Sequence, residues 1–221
     1  VNSAGVSLLS GFAPLRMAGP NDCGPTAALS ALRQAGLDFS RERLLEAWGF
    51  REGADKLDTP GHHLRTLRVL GVRASMRRRL GLREANGALS EGKALVILVP
   101  TGLARWHWVV VCGCGPGEDG VVVSAGDGLL RTARWGELAR RWTRHAASRL
   151  LRVDGLGYVL GRTRAFARDR ALERDMLRLA ALAEGLPGFL ENAAKAALAL
   201  VARGRREGSA GLFGEPLGGR P

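Results

Sequence analysis

Apolar positions along the chain recur first with helical spacing, then in unbroken runs, then with helical spacing again. Ala28, Leu29, Leu32 and Ala35 share one face of a helix over 24–35, which Gly36 stops. Ser40 caps a second helix that carries Trp48 and ends at Gly49. After a loop over 57–61, Leu64, Leu67 and Leu70 form the stripe of a third helix over 61–71. A short strand over 72–76, a basic turn at Arg77-Arg78-Arg79 and a helix over 82–92 follow. The continuous apolar runs 94–100 and 107–113 read as strands buried on both faces. The turn Gly115-Pro116-Gly117-Glu118-Asp119-Gly120 leads to a strand over 121–124, antiparallel to the run before it. Asp127-Gly128 is another turn, 135–142 a helix, and 149–153 a last strand. Residues 1–20 are small, apolar and turn-rich, and read as an extended lead-in packed on the domain.

The pattern changes after about Asp154. Over 164–183, Leu172, Met176, Leu179 and Ala183 line one helix face, opposite Arg168, Asp169, Arg170, Arg174, Asp175 and Arg178. Leu186-Pro187-Gly188 breaks it. A second helix over 189–203 is apolar nearly all round but carries Glu191 and Lys195, so it packs on protein or a membrane surface without spanning. Residues 204–221, rich in Gly and Pro, read as disordered. The organisation expected is therefore one α+β domain over 1–153, a helical extension over 154–203 and a tail over 204–221. The extension is where a partner chain or a membrane surface would be met.

Charge and cysteine usage narrow the classes. The chain has 221 residues, with 33 basic against 21 acidic, a net charge of +12. The few aromatics are not interleaved with the arginines, which argues against a single-strand stacking surface, so no nucleic-acid partner is expected. Three cysteines make no disulfide framework. No apolar run is long enough for a transmembrane helix. The stretch from Val6 to Pro14 is similar to the end of a signal peptide but has no basic n-region or clear cleavage motif. The compartment stays open between the cytoplasm, slightly favoured, and export if a signal segment lies upstream.

Candidate chemistry centres on Asn21-Asp22-Cys23-Gly24-Pro25-Thr26. Two N-cap residue types precede the cysteine and Pro25 suits a first helical turn, so Cys23 stands at a helix N-terminus. Unpaired amides and the helix dipole favour thiolate there. A cysteine nucleophile needs a base and a group that orients the base. His107 begins a buried strand, and Asp127 follows the end of the strand paired with it. An antiparallel pair brings those two ends together. Read singly, His107 is a sheet-end histidine and Asp127 a turn residue. Cys112 and Cys114 read as packing, and the adjacent His62 and His63 as surface residues rather than metal ligands.

Asn21-Asp22-Cys23-Gly24-Pro25-Thr26-Ala27, His107-Trp108-Val109-Val110-Val111 and Asp127 together resemble the papain-like cysteine peptidases of the bacterial bacteriocin-processing, double-glycine-leader type. The resemblance spans roughly residues 8–153. It implies a papain-like fold with Cys23 as nucleophile, His107 as base and Asp127 as orienter. It also implies a peptide or protein substrate, cut after two small residues if the leader-processing habit carries over, with no metal or organic cofactor. The family places a glutamine six residues before the nucleophile as a side-chain oxyanion donor, whereas Met17 stands there in this chain. Asn21 is the nearest amide and the candidate replacement. The family's aspartate is usually followed by proline, here by Gly128. The Met17 departure keeps a weak or inactive peptide-binding or regulatory module beside the peptidase, and a deamidase or acyltransferase could use the same three residues.

Overall fold

The computed structural model describes residues 5–19, 22–49, 59–102, 105–145, 148, 153–166 and 169–185. The unbroken apolar runs become the middle of a seven-stranded antiparallel sheet: β1 (Ser7–Leu8), β2 (Ala74–Arg77), β3 (Leu95–Gly102), β4 (Arg105–Cys114), β5 (Gly120–Ser124), β6 (Leu130–Arg134) and β7 (Gly157–Leu160). Their order is β2-β7-β3-β4-β5-β6, with β1 paired to the last residues of β4. Around the sheet lie α1 (Cys23–Gln34), α2 (Arg41–Trp48), α3 (Pro60–Val69), α4 (Leu82–Ser90), α5 (Trp135–Arg144) and α6 (Arg170–Gly185).

Alternation along β3 and β4 sorts side chains between two cores. Val96, Leu98, Trp108, Val110 and Cys112 meet Leu29 and Leu32 of α1, Trp48 of α2, Leu67 of α3 and Met176 of α6. Leu95, Ile97, Val99, Val109 and Val111 meet Ala85 and Leu89 of α4 and Trp135, Leu138 and Trp142 of α5. Each such side chain contributes ~1.5–3 kcal/mol on leaving water. This is why the strands read as continuous apolar runs: helices cover both faces. The lead-in packs on the domain through Val6, Leu9, Phe12 and Leu15.

The caps follow local chemistry. Ser40 accepts from the Arg43 amide at 3.2 Å, and Gly49 closes α2 in the left-handed conformation. Thr59 caps α3 with Pro60 in the first turn, and the His62 ring returns the bond to the Thr59 amide at 3.2 Å.

The structure corrects several expectations. His62 and His63 are buried, not surface residues, because α6 packs over α3 and the sheet lies beneath it. His63 Nδ1 lies 2.8 Å from the Tyr158 hydroxyl, and its ring packs between Trp48 and Trp108. Of the strand expected over 149–153, residues 149–152 lie outside the described residues and Val153 is outside any strand, while β7 was not anticipated. β7 sits between β2 and β3, so residues 157–160 of the expected extension belong to the sheet. β6 was not anticipated; it pairs along all of β5. The helix expected over 164–183 forms as α6, with Leu172 and Met176 in the core. The helix expected over 189–203 and the tail over 204–221 lie outside the described residues.

Gly61 is where α3 and α6 come closest. A Cβ there would lie 2.2 Å from the Met176 carbonyl oxygen and 2.6 Å from the Ala180 Cβ. Gly61→Ala is therefore expected to cost about 1–3 kcal/mol in chemical denaturation. It should also speed proteolytic cutting within α6. Unchanged stability and cutting would contradict this packing.

Candidate active site

Cys23 is the first residue of α1, and the chain before it is shaped by Asp22. Asp22 occupies the N-cap position, but its side chain does not cap the helix amides. The carboxylate accepts from the Ala18 amide at 3.0 Å and the Thr26 hydroxyl at 3.1 Å, and it pairs with Arg41. Pro25 brings no N–H to the first turn. The positive end of α1 is thus left uncovered by the Asp22 carboxylate, and the half-buried Cys23 sits at it. That placement favours thiolate. Arg41 offsets the Asp22 charge, which would otherwise oppose a second anion one residue away. Asn21 lies outside the described residues.

His107 is the third residue of β4, and its ring Nε2 lies 2.7 Å from the Ala125 carbonyl oxygen. A carbonyl only accepts, so Nε2 carries the hydrogen and Nδ1 of the neutral ring holds the lone pair. Burial pushes the His107 pKa below its ordinary value, while the Ala125 bond and the Asp127 charge oppose the shift. The neutral, proton-accepting ring is the form favoured near neutral pH.

Asp127 follows the end of β5, and its charge is felt at His107. The carboxylate itself is engaged elsewhere: Oδ1 accepts from the Leu129 amide at 3.1 Å, and Oδ2 pairs with Arg131. Asp127 therefore reaches His107 through its field, while the ring's hydrogen bond goes to Ala125.

Met17 lies against the same turn. Its amide donates to the Gly126 carbonyl at 2.7 Å, and Arg16 bridges Asp127 in antiparallel fashion. Gly126 has φ +80°, and a Cβ there would sit 2.9 Å from the Met17 Cγ. Residues 16–17 thus hold the 126–127 turn from its outer side.

The two faces of the sheet constrain how Cys23 and His107 approach. Cys23 packs against the core on the α1 face, whereas alternation groups His107 with Val109 and Val111 on the α4 and α5 face. Any approach of the sulfur to the ring runs round the end of the sheet, where β4 begins and the 125–128 turn leaves β5. Cys112 is different in kind: it is fully buried, and burial pushes its thiol up to about 12. Cys114 is half-buried beside the α4 and α5 core, with its sulfur 3.9 Å from Asn86 Oδ1.

Two solved structures share this arrangement of helices and strands. One is the peptidase domain of Streptococcus ComA, a bi-functional ABC transporter involved in a quorum sensing pathway. It aligns with a TM-score of 0.52 at 17% identity, over 68% of this chain and 98% of that domain. The other is a C39-like peptidase from Bacillus anthracis, with a TM-score of 0.52 at 14% identity, over 73% of this chain and all of that one. The chain has the C39 papain-like peptidase fold. No family model matches the sequence, and no curated protein does. Within this C39 fold, three neighbours of the candidate residues escaped sequence reasoning. Ala125 acts through a backbone carbonyl, which leaves no mark on residue type. Arg41 and Arg131 are ordinary arginines in an arginine-rich chain.

The histidine gives a pH prediction. The His107 midpoint, followed by NMR of its ring, is expected below 6.5, the ordinary value. Below pH 6.5 the unfolded chain takes up this proton first. The His107 contribution to stability is then intact above that pH and lost as pH falls towards the folded midpoint. His107→Gln should flatten that part of the stability profile. A midpoint above 6.5 would contradict the burial and the Ala125 contact.

Proposed function

We propose that this chain is a cysteine peptidase in which Cys23 is the nucleophile and His107 its base. The observation that supports the reading is the tautomer of His107: with Nε2–H given to Ala125, Nδ1 is left as the proton-accepting nitrogen of the ring, and the reading requires Cys23 to reach it round the end of the sheet. The thiolate attacks the carbonyl carbon of a peptide bond. The tetrahedral oxyanion is stabilised by amides at the start of α1, with Asn21 as the candidate side-chain donor. His107 returns the proton to the leaving amine, and water then hydrolyses the thioester. The Ala125 carbonyl orients the ring, and the Asp127 charge adds electrostatic support to its protonated form. The core of this peptidase takes in β7 and α6, past the expected boundary at 153, and the substrate is a peptide or protein segment, with leader processing as the specific case to try first.

Met17 favours a second reading, a weakly active or inactive peptide-binding module. A thioether cannot donate to an oxyanion, and losing one such donor typically costs ~100- to 1,000-fold in rate. Nucleophile activation and oxyanion stabilisation can therefore separate, and the test must measure both. Iodoacetamide is expected to label Cys23 faster at pH 6–7 than an ordinary thiol of pKa ~8.5, and much faster than Cys112 or Cys114. His107→Ala should remove the advantage, and Arg41→Gln should reduce it several-fold without abolishing it. Met17→Gln should raise peptide turnover. Labelling of Cys23 no faster than Cys112 and Cys114 would end the nucleophile claim. Fast labelling with no turnover, even in Met17→Gln, would favour the binding module.

A further inference from the structure

At the opposite end of the sheet from His107, a cavity of about 400 Å³ opens between β2, the turn after β7 and the start of α6. This falls within the ~300–1,000 Å³ typical of small-ligand pockets. Its lining includes Arg73, Arg162 and Arg170, with Ser75, Thr163 and Phe166. The arginines come from three separate segments that backbone bonds hold together. The Gly161 amide donates to the Arg73 carbonyl at 2.7 Å, and the Asp169 amide to the Met76 carbonyl at 3.4 Å.

The turn is also fixed from below. Glu91 Oε1 accepts from the Thr163 hydroxyl at 2.8 Å and from the Arg164 and Ala165 amides at 2.7 and 3.0 Å. Glu91 Oε2 is paired with Lys93 at 3.0 Å. Of the other nearby carboxylates, Asp169 accepts from the Leu172 amide at 2.9 Å at the start of α6, and Glu173, which lines an adjoining cavity with Arg73, pairs with Arg68 at 3.7 Å. All three acids thus have partners other than these arginines, and the cavity lining itself contains no acid. Among the described residues, no carboxylate pairs with Arg73, Arg162 or Arg170. Guanidinium groups left together without a counter-charge repel one another unless an anion joins them. Their planar forks match the oxygens of a phosphate, and a dianion balances such a cluster better than a carboxylate does.

We propose that this cavity is a binding site for a phosphate monoester, held by Arg73, Arg162 and Arg170, separate from the Cys23 site. The ester is either a small soluble molecule or a lipid headgroup, and one experiment distinguishes them. The full chain is titrated with glycerol 3-phosphate at constant ionic strength, by calorimetry and by shift of Tm. In parallel it is sedimented with phosphatidylcholine vesicles with or without phosphatidic acid.

Saturable binding is expected in one arm. Arg73→Gln and Arg170→Gln should each weaken it on the order of tenfold or more. Arg140→Gln, at an exposed position of α5 remote from the cavity, should leave it unchanged. Since all four arginines are exposed, unliganded Tm values should agree between the variants and the parent. Arginine-dependent binding of glycerol 3-phosphate assigns a soluble ligand, and arginine-dependent binding to phosphatidic acid vesicles alone assigns a headgroup. Glycerate binding as tightly as glycerol 3-phosphate would overturn the phosphate assignment. Binding that Arg140→Gln weakens equally, or no arginine-dependent binding in either arm, would overturn the site.

Discussion

Strand β4 has to be covered on both faces, and the rest of the structure answers to that constraint. Its odd and even side chains are too apolar to leave to water, so α1, α2, α3 and α6 close one face and α4 and α5 the other. The strand is paired along both edges by β3 and β5, and β1 takes over where β3 ends. Only the ends of such a strand are left for chemistry. His107 stands near one end, where the first buried turns of the domain give way to the 125–128 loop. The helix dipole of α1 is fixed by the same packing, because Leu29 and Leu32 cannot be seated on the sheet without directing the start of α1 as they do.

The electrostatics around that end are arranged in pairs. Asp22 is matched by Arg41 and Asp127 by Arg131, so neither carboxylate acts as an uncompensated charge near Cys23 or His107. The Ala125 carbonyl then sets the tautomer of His107 without bringing a formal charge against it. A histidine oriented by a carbonyl is a weaker base than one held by a free carboxylate, since less negative charge supports the protonated ring. Under the proposed function, that arrangement and Met17 in the place of a side-chain donor would both slow peptide turnover. The rim of the site is rigid for a backbone reason: residues 16–17 are bonded to the 126–127 turn, and Gly126 leaves the room that Met17 fills.

What could be read from the sequence is what depends on neighbours along the chain. The stripes of α1, α3 and α6, the Ser40 and Gly49 boundaries of α2, and the β4–β5 pairing all carry local signals of period, cap or turn. The same pairing led to the expectation of Asp127 beside the His107 ring, where the hydrogen bond goes instead to the Ala125 carbonyl. What could not be read depends on distant residues. β6 is an edge strand whose Arg131, Thr132 and Arg134 give it no apolar run. β7 is short and glycine-flanked, and only its insertion between β2 and β3 makes it a central strand. His63 is polar and looked exposed, but α6 and Tyr158, far along the chain, bury and pair it. The Ala125 contact involves no side-chain chemistry at all.

As the proposed nucleophile, Cys23 must form a covalent bond with a peptide carbonyl carbon. Incubation with a mixed peptide library, read by mass spectrometry of both peptides and intact protein, tests it most directly. Cleaved peptides and an acyl adduct on Cys23 are expected in the parent chain or, more abundantly, in Met17→Gln, with both absent in Cys23→Ala. Cleavage that persists in Cys23→Ala, or neither adduct nor cleavage in the parent and in Met17→Gln, would contradict it.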